Sequence, residues 1–302
     1  MGLQELQPGG LISIALGAGV DIKEVRNIYA IQAADIFTKV TWADCWSERG
    51  EEATSVSGAE PGVFCCSYTA DGLTKIMTSH IGNRTFGDLP RDKMVMAITA
   101  QLDDLTASPV QWKLVMFSNQ GPENYSKVKL IDACLATSAA PAYFPPYEVP
   151  GMGFFADGGI FANNPILNSI ELAQQGQLVA GYSEVEVISF GTGLSPMGIP
   201  PSAIPKPKTW GTSTWMYPCK DKDVPAMALL NAMFNLSSSN ITRIAEGLLG
   251  DSLVRINPVM SQEVPIDSYS PADYTVMNEA IKSAKKSPEW CAAKDMINKW
   301  CR

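Results

Sequence analysis

The chain has 302 residues, 46% of them hydrophobic, enough to bury a substantial core as one large domain. Lys and Arg total 23 against 31 Asp and Glu, a formal net charge of -8, which speaks against nucleic-acid partners and against a polybasic membrane anchor. Seven cysteines, none spaced C-x-x-C, and a single histidine, His80, offer little to a metal ion. They read as mostly buried or incidental thiols in a reducing compartment, with no metal or cofactor expected.

Residues 9–37 read as helix, turn, helix. Leu11, Ile12, Ile14, Ala15 and Leu16 are apolar on nearly every face, so this first helix is expected to be buried all round. The apolar stretch 11–20 is too short to span a bilayer, and its first basic residue, Lys23, follows it, the wrong order for a secretory leader. An intracellular, cytoplasmic chain without a transmembrane segment is the expectation. A fully buried helix so near a chain start needs neighbours, and the expectation is that upstream sequence supplies them. Asp21 opens the next helix, with Glu24 three residues on in the pattern of a capping box.

Residues 49–62 form a polar loop. Residues 71–81 read as helix, 86–89 as a turn, 94–100 as a buried strand and 112–118 as a second strand. Residues 128–137 have helical spacing and stop before Pro141. The strand 154–156 runs into Asp157-Gly158-Gly159, residues 166–175 are helical, and 185–190 is another buried strand. Residues 196–225, rich in proline, are an irregular excursion, and the remainder is mainly helical around a short strand at 253–256. Strands alternating with helices predict an α/β fold, a three-layer sandwich on a mostly parallel central sheet. No second domain is evident: one domain spans 1–302, with the excursion extending from about 194.

The chemistry concentrates in 133–165, ACLATSAAPAYFPPYEVPGMGFFADGGIFANNP. The strand delivers Asp157 to its C-terminal end, where open α/β sheets hold their sites. Gly158 and Gly159 allow close backbone approach. Asn163 and Asn164 bring amides and turn-forming ability, and Pro165 suits a helix's first turn.

That string resembles the patatin-like phospholipases. So do YTADGLTKIMTSHIGNRTFGDL at 68–89, SFGTG at 189–193 and the GGLI that opens at Gly9; the resemblance is good from Gly9 to Gly193. It implies a lipid acyl hydrolase, cleaving phospholipid or glycolipid acyl esters with a serine–aspartate dyad. By matched position Asp157 is the base, supported by Gly158, Gly159, Asn163 and Asn164, and His80 has no catalytic task. The family's nucleophile sits in G-x-S-x-G and its oxyanion is held by a glycine-rich loop. Here the aligned elbow has Glu5 at its first glycine and Gln7 at the serine, and the first strands and the oxyanion loop have no counterpart. Ser13 lies inside the first helix and is no substitute. The chain as written is therefore expected to be inactive. A non-catalytic lipid- or partner-binding protein is the alternative, and a thioester hydrolase a third. The implied partner is a lipid or other acyl ester, with peripheral membrane contact compatible. Gly191-Thr192-Gly193 reads as scaffold rather than a phosphate loop, Trp210, Trp215 and Tyr217 as loop anchors or a lipid-facing lip, and Lys282, Lys285 and Lys286 as a solvated face.

Overall fold

A computed structural model describes residues 8–49, 65–195, 198–204, 206–216, 224, 227–265 and 267–301. Two compact units divide the chain at Ile160 and Phe161.

The first unit opens with helices α1 (Pro8–Gly17), α2 (Ile22–Ala30), α3 (Ala33–Ile36) and α4 (Trp42–Arg49). Asp21 caps α2 as the sequence predicts, its carboxylate accepting the Lys23 N–H at 2.7 Å. Beyond Arg49, the expected loop lies outside the described residues. Helix α1 departs from expectation: Leu11, Ile14 and Ala15 are buried, but Leu16 is 43% exposed and Ile12 only partly covered. The helix leans on the sheet and on two other helices, which leave part of its outer side uncovered among the described residues.

Helix α5 (Asp71–Ile81) has the predicted bounds and buries Leu73, Ile76, Met77 and Ile81. Arg84, just after it, donates to the carbonyl oxygens of Ile81 at 2.8 Å, His80 at 3.3 Å and Ala18. Strands β1 (Met96–Gln101) and β2 (Lys113–Ser118) follow, then α6 (Leu130–Thr137), β3 (Tyr147–Val149) and β4 (Gly153–Asp157). Every residue of α6 is buried.

The α/β class is as expected, but the strand directions differ. The four strands lie in the order β2-β1-β4-β3 with every ladder antiparallel. The reason is local: β1 joins β2, and β3 joins β4, through loops instead of helices, and such connections return the chain antiparallel. Directions therefore alternate across the sheet, β2 and β4 running one way and β1 and β3 the other. Period-two alternation puts Ala97, Thr99, Val115, Phe117, Phe155 and Asp157 on one face. Helices α1 and α6 pack on this sheet, and Phe117 stacks there with Phe86, Tyr125 and Phe155 at ring separations of 5.1–6.3 Å. On the opposite face Leu114 and Phe154 are exposed. Trp112, expected to begin β2, lies just before it and is 87% exposed.

Cys45 and Cys65 form a disulfide, their Cα atoms 5.8 Å apart and their positions 20 residues apart in sequence. This corrects the reading of the cysteines as mostly buried or incidental thiols where these two are concerned: spacing alone carried no sign that the fold would bring them within bridging range. Cys66, Cys134, Cys291 and Cys301 form no disulfide among the described residues, and Cys219 lies outside the described residues.

The second unit continues from α7 (Gly159–Ala162) with α8 (Ile166–Gln175), β5 (Val187–Phe190), α9 (Thr212–Met216), α10 (Ala228–Leu249), β6 (Leu253–Ile256), α11 (Pro271–Ala284) and α12 (Pro288–Trp300). Here β5 and β6 pair in parallel, Val187 with Leu253 through Phe190 with Ile256. Val187 and Leu253 pack on Ile166 and Ile170 of α8 and Ala245 and Leu249 of α10. Ile188, Val254 and Ile256 pack on Ala293 and Met296 of α12. This unit is layered helix, sheet, helix. Strand β5 is less buried than its apolar sequence implies: only Ser189 is buried, and Phe190 is 63% exposed, because nothing among the described residues covers the strand's end. In the Pro-rich excursion, Trp210 and Trp215 meet edge to face at 4.9 Å and pack with Ala203, Val224 and Ala228. They anchor the loop; Tyr217 lies outside the described residues.

Candidate functional site

Asp157 ends β4 on the helix-covered face, directly across from Thr99 of β1, and is 2% exposed. Its backbone N–H donates to the Ala139 carbonyl at 2.9 Å, so the small-residue run after α6 clamps the strand end. Its Oδ1 accepts the Gly159 N–H at 2.7 Å, which fixes the carboxylate's orientation from within its own turn. The turn requires glycine at 158, because a Cβ there would overlap the Ile98 carbonyl. Gly158 and Gly159 are thus brought together with Asp157.

Where β4 stops, β1 runs on, and hydroxyl groups replace the ladder. Thr137 Oγ1 at the end of α6 donates to the Ile98 carbonyl at 2.8 Å, and Ser13 Oγ of α1 accepts the Met96 N–H at 3.4 Å. Gly10 in the first turn of α1 packs so closely on Thr137 and Ala97 that a side chain would not fit. The start of α1, the end of α6 and the Asp157 turn therefore converge on one patch of sheet around Ile98. The role of Thr137 was not read from the sequence. The signal for it was the small-residue run in which it lies, whose tightness makes a hydroxyl there face backbone.

Several hydroxyl and thiol groups near this patch have structural tasks. Thr99 Oγ1 donates to the Val115 carbonyl at 3.3 Å. Burial pushes the Cys134 thiol of α6 well above the usual cysteine range, keeping it protonated and a poor nucleophile. Tyr147 donates to Asp132 Oδ1 at 2.8 Å and ties β3 to α6. Burial, and then that hydrogen bond and the Asp132 charge, raise its hydroxyl far above the ordinary tyrosine value. His80 is in the last turn of α5, and its carbonyl accepts from Arg84. Glu5 and Gln7 lie outside the described residues.

Asn163 and Asn164 belong to the second unit. Asn164 is fully buried, donating to Thr242 Oγ1 of α10 at 2.9 Å and accepting the Ile166 N–H at 3.4 Å, so it fixes the start of α8. Asn163 Nδ2 is buried with no acceptor among the described residues. Gly191 and Gly193 serve the β5–β6 end: their N–H groups donate to the Ile256 carbonyl and to Asn257 Oδ1. Lys285 lies 6.0 Å over the Trp290 ring, and Lys282 and Lys286 are exposed. Among the described residues no three His, Cys, Asp or Glu side chains converge as metal ligands, and no helix is long and apolar enough to cross a membrane.

Residues 9–169 match the family model described as "Patatin-like phospholipase". A "cGAMP-activated phospholipase" of Escherichia coli (strain TW11681) is 29% identical over 210 residues, which cover 67% of this chain and 52% of that protein. A protein of the same name from Vibrio cholerae serotype O1 is 28% identical over 204 residues, 65% of this chain and 53% of its own. "Patatin-like protein 4" of Arabidopsis thaliana is 35% identical over 117 residues, 34% of this chain and 29% of that protein. The chain spans about half the length of the two bacterial relatives.

Proposed function

Because this chain belongs to the patatin-like phospholipase family, we propose that Asp157 is the general base of a serine–aspartate lipid acyl hydrolase. Its substrates are acyl esters of phospholipids or glycolipids, met from the cytoplasm. The observation that carries the reading is the carboxylate itself: buried, at a strand end, and oriented by the Gly159 N–H. The first turn of α1 rests on Ala97 and Thr137, on the sheet face that Asp157 shares. That supports reading α1 as the counterpart of the helix that follows the family's nucleophile elbow.

In the proposed reaction a serine oxygen attacks the ester carbonyl as its proton passes to Asp157. The alcohol leaves with that proton; water, deprotonated by Asp157, then attacks the acyl-serine carbonyl, and the acid is released as Asp157 returns the proton to the serine oxygen. The 302 residues contain no G-x-S-x-G, and Gln7 has no nucleophilic oxygen. By themselves they are therefore expected not to turn over, and this same observation favours the second reading, a non-catalytic lipid- or partner-binding protein. Hydrolysis of p-nitrophenyl esters by the 302-residue chain should equal that of an Asp157→Asn control. With a G-x-S-x-G elbow and oxyanion loop supplied ahead of α1, Asp157→Asn should lower kcat by several orders of magnitude. His80→Ala should keep roughly half of the activity or more, since no imidazole is needed. Equal damage from the two substitutions would overturn the assignment.

A further inference from the structure

The geometry points to the N-terminal half of α10 as a lipid-surface docking element that works without charge. Its buried side carries Ala228, Asn231 and Phe234. Leu229, Met233 and Leu236, spaced as one face of a helix, are instead exposed, Leu236 by 69%. Phe161 extends the same stripe: it is exposed, and its carbonyl accepts from Ser237 Oγ at 3.3 Å. In sequence Phe161 lies four residues beyond Asp157.

The occupant follows from what the helix lacks. Residues 228–242 contain no Asp, Glu, Lys or Arg, and the polar positions among them are Ser, Asn and Thr. A protein partner of ordinary surface would find no ion pair to fix its register there. With a net charge of -8, the chain as a whole is repelled by anionic lipid. An uncharged face of bulky apolar side chains fits a zwitterionic lipid surface, where insertion between head groups depends on buried apolar area. The acyl-hydrolase reading underlies this inference only in suggesting lipid as the surface. Docking needs no turnover and is read on the chain that lacks a nucleophile, so failed hydrolysis would leave it intact.

The experiment is flotation of the full chain with phosphatidylcholine vesicles, small and large. Capture should occur, be stronger on the small, highly curved vesicles, and change little with added salt. Met233→Glu with Leu236→Glu should weaken capture at least about tenfold. Trp112→Glu, the same added charge on an exposed aromatic of the other unit, should leave capture unchanged. Leu236→Trp should strengthen it, which keeps the test decisive should the double variant misfold. Absence of capture by neutral vesicles, or full capture by the folded double variant, would overturn the proposal. So would light scattering that reveals a dimer dissolved by the double variant without vesicle binding, since a second copy would then cover the stripe.

Discussion

The two sheets solve the same problem in opposite ways. The four-stranded sheet is antiparallel and carries α1 and α6 on the face of Phe117 and Asp157, while Leu114 and Phe154 on its other face stay exposed. The two-stranded sheet is parallel and is covered twice, by α8 and α10 on one face and α12 on the other. Antiparallel strands can leave one face in water, whereas parallel strands reached by helical crossovers come with helices on both. The first sheet thus holds its aromatic stack and its candidate chemistry on one side, while the other side, where Ile98 and Ala156 are buried, is open only at Leu114 and Phe154.

The sharpest way to break this comparison is Phe117→Ala, which empties the centre of the aromatic stack on the covered face. Loss of about 3–5 kcal/mol is expected in urea unfolding, and a loss under about 1 kcal/mol would mean that the stack is not the first sheet's core. The parallel sheet should respond to both of its faces. Leu253→Ala and Val254→Ala point opposite ways and should each cost about 1–3 kcal/mol; a cost confined to one of them would make this sheet one-sided too. The smallest effect belongs to the open face of the first sheet. Leu114→Thr keeps a strand-forming residue and should shift stability by within about 0.5 kcal/mol. A larger loss would reveal a covering that the described residues do not include.

These contrasts also mark what could be read beforehand. Helix α5 was legible to the residue because its apolar spacing and its flanking glycine agree. The ends of β4 and β6 were legible because short apolar runs stop at turn-forming residues. Strand direction was not, since a buried parallel strand and the covered centre of an antiparallel sheet have similar apolar runs. The three residues of β3 are too few to show a period. Asp157 and its glycines stood out through a string of motifs, but the part played by Thr137 and Gly10 depends on contacts with Ile98 and Ala97, far away in sequence. The cysteine pair was hidden for the same reason.

Arg84 has a consequence for how α1 and α5 can meet. Its guanidinium binds carbonyl groups at the C-terminal ends of both helices. Each such end carries a partial negative charge, so two of them side by side repel. One cation shared between them turns that repulsion into a common attraction. The planar fork also reaches three acceptors in fixed directions, which a lysine ammonium on a flexible stem does not. The angle between two helices is therefore tied to a side chain that belongs to neither.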